Sequence, residues 1–151
     1  MKPSPDYVPA HGLLRGKSVL VTAAAGAGIG FSAAQRAAEE GCRSLVISDV
    51  HERRLNEAVA ALREKTGLQD IHGQLCDVSQ QAQVDALMAF AEDKTGGVDV
   101  LVNNAGLGTS RRLIDMPDDE WHKVIDVTLT GTFRMTRAAL QVMQPRGRGV
   151  I

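Results

Sequence analysis

The sequence predicts a doubly wound α/β fold, a parallel sheet with helices on both faces, and three observations carry that expectation. Short β-branched runs alternate with helical patterning four times along 151 residues, the signature of right-handed βαβ crossovers. Apolar residues reach 44% while aromatic residues are 3%, so the core draws on Val, Ile, Leu, Ala and Met, which suits helices packed on a parallel sheet. A glycine cluster, within "TAAAGAGIG" (22–30), stands between the first β-branched run and an alanine-rich helix.

Residues 1–11 are expected to be an extended leader, because Pro3, Pro5 and Pro9 each remove a backbone donor and disfavour helix at the residue before them. One domain is expected to fill residues 12–151. Its strands are "KSVLVT" (17–22), "SLVISD" (44–49), "IHGQLCD" (71–77) and "VDVLVN" (98–103). The first helix starts near Ile29 and stops at Gly41. The second buries Leu55, Ala58, Val59 and Leu62 and ends at Gly67. In the third, Ser79 is the expected N-cap, and Val84, Leu87, Met88 and Ala91 form the apolar stripe. A fourth helix runs from near Pro117 to about Met143, where Pro145 halts it, and "GVI" (149–151) reads as the start of a fifth strand that is cut short.

Charge narrows the partners. Seventeen Lys and Arg face eighteen Asp and Glu, net −1, which leaves no electrostatic footprint for DNA, RNA or anionic lipid. The first residues lack the pattern of a signal peptide and no run of about 18 apolar residues follows, so a cytoplasmic protein is expected. Cys42 and Cys76 have no C-x-x-C or histidine spacing; they are expected to be free thiols, and no metal site is expected.

The glycine cluster points to a ligand. A dinucleotide's pyrophosphate needs backbone without Cβ obstruction and free helix N–H groups, and a strand–glycine–helix turn supplies both. Gly26, Gly28 and Gly30 sit at that turn; a tight turn that only packs helix on strand is the plainer alternative. Asp49, about 20 residues on at the end of the next strand, can accept hydrogen bonds from the adenine-side ribose. Its charge would repel a 2′-phosphate, so NAD is expected over NADP. His51, Arg53 and Arg54 read as solvated charges of a helix's first turn.

With "AGAGIG", "CDVS" (76–79), "NNAG" (103–106) and "DVTLTGTF" (126–133) in this order, residues 12–151 resemble the first half of the short-chain dehydrogenase/reductase family, with its Rossmann fold. The resemblance implies a nicotinamide-dependent oxidoreductase acting on a small-molecule secondary alcohol or ketone. It assigns the phosphate loop to Ala24, Gly26, Ala27, Gly28, Ile29 and Gly30, the adenine side to Asp77 and Val78, and the ribose and nicotinamide side to Asn103, Ala105 and Gly106. Two departures stand out. Ala24 occupies the place of the family's first glycine, with an extra residue after Thr22, and Thr128 replaces the proton-relay asparagine and is the one catalytic candidate.

"HGLLRGKSVLVTAAAGAGIG" and "ISDVHERRL" are similar to a narrower branch, actinobacterial dehydrogenases of steroid-ring degradation. The resemblance further implies a homo-oligomer, in which residues 121–143 pair across a subunit interface; Trp121, Val124, Ile125 and Leu129 would otherwise be core. The family's catalytic Tyr and the Lys four residues after it are missing, since the one tyrosine is Tyr7 in the leader. The chain is therefore expected to be the N-terminal part of a dehydrogenase and inactive alone, the alternative being a non-catalytic dinucleotide-binding module.

Overall fold

A computed structural model describes residues 6–151; Pro3 and Pro5 lie outside the described residues. Four parallel strands, β1 (Ser18–Val21), β2 (Ser44–Asp49), β3 (Ile71–Leu75) and β4 (Val100–Val102), line up in the order β3-β2-β1-β4. Each forms within one or two residues of its expected run. The helices are α1 (Ile29–Glu39), α2 (Glu52–Thr66), α3 (Gln81–Thr95), α4 (Asp118–Ile125) and α5 (Gly131–Met143).

Alternation along the strands sorts the helices onto two faces. Val19, Val21, Leu45 and Ile47 pack against Ala34 and Ala37 of α1 and Leu55, Ala58 and Leu62 of α2. Leu20, Val46 and Leu101 meet Val84, Leu87, Met88 and Ala91 of α3 and Met135, Ala138 and Ala139 of α5. This is the doubly wound Rossmann-like arrangement. The order reverses beside β1, between the crossover to β2 and the one to β4, which opens a crevice beyond the strands' C-terminal ends.

Two expectations are corrected and two others take a definite form. Ser79 does not cap α3: the N-cap is Gln80, without a side-chain bond, and Ser79 Oγ instead accepts from Gln80 Nε2 at 3.1 Å while Asp77 Oδ1 takes the Ser79 N–H at 2.9 Å. The expected fourth helix is interrupted, since Asp126–Thr130 widens into a π turn between α4 and α5. On the α4–α5 face Trp121 and Leu129 are exposed in this chain, with Val124 and Ile125 half-buried. At the expected fifth strand, Val150 makes one parallel bridge to Val100, donating to Asp99 O and accepting from Leu101 N.

The leader is held down. Glu40, 3% exposed, accepts the backbone N–H groups of Leu13 (3.0 Å) and His11 (2.8 Å) and pairs with Arg36. Those bonds, Leu13 first, lower its pKa from 4.5 to about 2. The Tyr7 hydroxyl donates to Glu39 at 2.6 Å.

Candidate functional site

Beyond the C-terminal ends of β1 and β4, Asp49, Cys76, Asp77, Val78, Ala105, Gly106, Lys123 and Val127 are among the residues that line a cleft of about 390 Å³. Four segments distant in sequence meet there because parallel strands all end on the same side.

The start of the glycine loop, at Ala23, forms part of the cleft's near wall. Ala23 has φ +50°, the only non-glycine residue with positive φ among the described residues. The strained position thus falls one residue before Ala24, whose side chain is buried and whose N–H donates to Ser48 O. Holding an alanine there costs roughly 1–2 kcal/mol, and the extra residue after Thr22 is accommodated partly by this kink.

Gly30 is buried where the loop passes the "NNAG" turn. A Cβ there would stand 2.6 Å from Ala23 O and closer still to the Asn104 amide. Asn104 Nδ2 donates to Thr22 O and Ala23 O, both at 3.0 Å. Thr22 Oγ1 accepts from the N–H groups of Asn104 and Ala105. Asn104 and Thr22 are not among the residues the sequence singles out; the doubled asparagine after β4 is the signal that points to them.

Gly26 and Gly28 have nothing within 4 Å of the position a Cβ would take. Gly28 caps α1 without a side-chain bond and the first turn holds no acidic residue, so the helix's leading N–H groups and positive end face outward. Ile29 is exposed. Gly26 and Ala27 line a separate groove of about 470 Å³ between α1 and α2, rather than the cleft itself.

Asp49, 8% exposed, accepts the Ala25 N–H on Oδ2 and the His51 N–H on Oδ1, both at 3.1 Å. Its carboxylate therefore fixes the loop while standing in the cleft wall. Opposite, Asn103 turns its amide toward Thr136 Oγ1 at 3.0 Å, leaving Ala105 and Gly106 at the cleft. Thr128, in the π turn, accepts the Leu107 N–H at 3.0 Å and donates to Leu107 O at 3.2 Å. Its hydroxyl hydrogen is committed, which leaves one lone pair for a further partner.

The thiols are poorly suited to chemistry. Burial first, then the charge of Asp77, pushes Cys76 up to about 12, and burial followed by Asp70 pushes Cys42 to about 11, so both are protonated at neutral pH. Among the described residues, no three His, Cys, Asp or Glu come together to hold a metal.

A Rossmann-like sheet with its crevice at the reversal of strand order, bounded by a glycine loop and an acidic strand end, defines the class. A profile described as "short chain dehydrogenase" matches residues 17–151, and the chain belongs to that family, whose members are oxidoreductases that use a nicotinamide dinucleotide. It is 51% identical over 146 residues to a hydroxy-methyl-oxo-hexahydroindene-carboxyl-CoA reductase of Mycobacterium tuberculosis, covering 97% of this chain and 55% of that one. A 3beta-hydroxysteroid dehydrogenase of Mediterraneibacter gnavus is 39% identical, over 89% of this chain and 48% of the relative.

Among solved structures, a short chain dehydrogenase from Mycobacterium smegmatis superposes with a TM-score of 0.88 at 51% identity, over 93% of this chain and 57% of the other. An actinorhodin polyketide ketoreductase solved with NADPH gives 0.83 at 35%, over 93% and 53%. The chain spans about half the length of the curated relatives it matches. These similarities accord with the steroid-degradation branch named from the sequence.

Proposed function

We propose that the protein is an NAD-dependent oxidoreductase that moves a hydride between the nicotinamide and a secondary alcohol or ketone of a fused-ring, steroid-derived substrate. The observation that carries the reading is Asp49, a carboxylate in the wall of the cleft at the end of β2, bonded to the phosphate loop through Ala25. Its charge favours ribose hydroxyls and repels a 2′-phosphate, so NAD is preferred to NADP. The substrate class rests on the likeness to the M. tuberculosis reductase and the 3beta-hydroxysteroid dehydrogenase.

The residues divide the work along the cleft. Ala24 to Gly30 present main chain and the start of α1 to the pyrophosphate, and their fit is supported by the open space over Gly26 and Gly28. Asp77 and Val78 line the adenine end. Asn103, Ala105 and Gly106 edge the nicotinamide ribose, and Thr128 stands at the catalytic end, where it fixes Leu107 and offers one lone pair to a water. The bound dinucleotide supplies the hydride acceptor or donor.

A proton must also move, and no residue lining the cleft is a tyrosine; Tyr7 bonds Glu39 at the far end of α1. This chain alone is therefore proposed to bind without turnover. The same observation favours a second reading, a dinucleotide-binding module without catalysis. Homo-oligomerisation is proposed on the exposed Trp121, Leu129, Phe133 and Leu140 of the α4–α5 face, and a cytoplasmic setting on two unpaired thiols.

Calorimetric titration with NADH and NADPH, beside turnover assays with secondary alcohols, tests the proposal. NADH is expected to bind more tightly than NADPH. Asp49→Ala is expected to weaken NADH about tenfold, the loss of one charge-assisted contact, while Arg53→Ala, whose partner is the exposed Glu57, leaves it unchanged. Equal and negligible effects would overturn the ribose assignment, and turnover by this chain would overturn the proposed inactivity.

A further inference from the structure

We propose that Arg134 is a positioning residue that holds the adenine wall of the cleft to the π turn, an inference that rests on the dinucleotide reading above. Single π turns inside α-helices concentrate at functional sites, and this one is held by contacts from outside its own turn. The turn Asp126–Thr130 has three supports. Thr128 bonds Leu107. Gly131 packs so closely on Val78 that a Cβ would lie 2.6 Å from Val78 Cγ2. Arg134 Nη1 donates to Asp126 Oδ1 at 2.8 Å and approaches Val78 O at 3.4 Å.

The third support differs in kind. Ion pairs along a regular helix join residues three or four apart, and eight residues of α-helix span about 12 Å. Arg134 and Asp126 are eight apart, bracket the widened turn and still meet at 2.8 Å. The same guanidinium contacts the main chain of the β3–α3 loop, so one side chain joins α5, the start of the π turn and Val78. Val78 and Val127, the latter inside the turn, both line the cleft. Arg134 does not itself line the cleft; it acts through Val78.

The spacing between wall and turn then depends on this cation. Arg134→Met leaves the Asp126 carboxylate without its counter-ion and Val78 O without its side-chain donor, and the loosened wall is at the adenine end. The expected result is about tenfold weaker binding of NADH and, by the same factor, of 5′-AMP, which fills only the adenine end. Arg134→Lys, whose ammonium still reaches Asp126, restores both affinities to within about threefold. Arg137→Met, which removes an arginine of the same helix bonded to Gln81, leaves both unchanged.

Amide hydrogen exchange of the nucleotide-free protein reads the linkage separately, and Arg134→Met is expected to speed exchange in both 77–80 and 126–131. If the unsubstituted protein binds neither NADH nor 5′-AMP, the dinucleotide reading fails, and exchange alone decides whether Arg134 joins the two segments. Unchanged 5′-AMP affinity in a variant of a protein that binds it, or faster exchange confined to the helix, overturns the positioning role.

Discussion

At the N-terminal end of the sheet Ser18, Arg43, Ser44 and Asp99 bond one another, with Arg63 Nε and Arg146 Nε the buried atoms left unpaired there among the described residues, whereas at the C-terminal end a helix start and a kinked loop face outward and one buried hydroxyl goes unpaired. On the floor, Ser18 Oγ accepts from Arg43 at 2.6 Å and from Ser44 Oγ at 3.1 Å, and Arg43 also reaches Thr95 O. Asp99 Oδ2 takes the Ser18 N–H at 3.1 Å. At the rim, α1 begins without a side-chain cap, Ala23 is kinked, and the buried Ser48 Oγ has no protein partner among the described residues. The network around Ser18 serves stability, while the uncapped start of α1 and Ser48 Oγ leave polar groups at the rim open to a ligand.

The comparison breaks most sharply at Gly30. Gly30→Ala drives a Cβ into Ala23 O and the Asn104 amide, and the backbone oxygen has no easy retreat. The expected cost is about 3 kcal/mol of stability, the upper part of the overpacking range, with a loss of at least roughly tenfold in NADH affinity as α1 is pushed from the loop. Denaturant melts and calorimetry read the two. A rim substitution that lowered stability but left affinity untouched would contradict the division of labour.

The floor's counterpart is Asp99. Asp99→Ala leaves the fully buried Ser18 N–H without its side-chain acceptor, at an expected cost of about 2 kcal/mol. Asp99→Asn keeps an acceptor and is expected to cost less. Neither is expected to change NADH affinity, since Asp99 lies a strand length from the cleft; a change in affinity would merge the two ends.

Glu40 extends the comparison to pH. Its folded pKa lies below the ordinary 4.5, near 2, so its contribution is present above about 4.5 and is lost as pH falls from 4.5 toward 2. The expected effect is a larger fall in melting temperature between pH 7 and pH 3 for the unsubstituted protein than for Glu40→Gln. Parallel curves would show that the clasp on Leu13 and His11 adds nothing.

Much of this was legible in the sequence. β1 and β2 announce themselves as continuous apolar runs because both are buried on both faces, as Val19 to Val21 and Leu45 to Ile47 are, whereas the edge strand β3, IHGQL, is only partly buried and carries a weaker signal. Asp49, Asp77, Val78, Ala105 and Gly106, drawn from three separate motifs, meet in one cleft. What stayed hidden was local competition between side chain and backbone. Ser79 has the composition of a helix cap, but its hydroxyl accepts from the Gln80 side chain instead. The π turn leaves no mark in the apolar pattern, because its supports, Leu107 and Val78, are 21 and 56 residues away from Thr128 and Arg134. The exposure of Trp121 and Leu129 depends on what covers the helix, which spacing alone does not encode.

The mildest test compares two serines on one strand. Ser44 and Ser48 are four residues apart on β2, so their side chains point to the same face, and each is 1% exposed. Ser44 Oγ bonds Ser18, while Ser48 Oγ has no protein partner among the described residues. Removing a hydroxyl that has a partner forfeits about 1 kcal/mol, whereas removing a buried unpaired one relieves a desolvation cost of similar size. Ser44→Ala is therefore expected to lower stability by about 1 kcal/mol, and Ser48→Ala to leave it unchanged or raise it slightly. Both substitutions delete one oxygen from the same strand and face, so the sign of the difference reports only on whether that end of the sheet has already paired its polar groups. Equal losses at the two positions would mean that the rim is as fully satisfied as the floor.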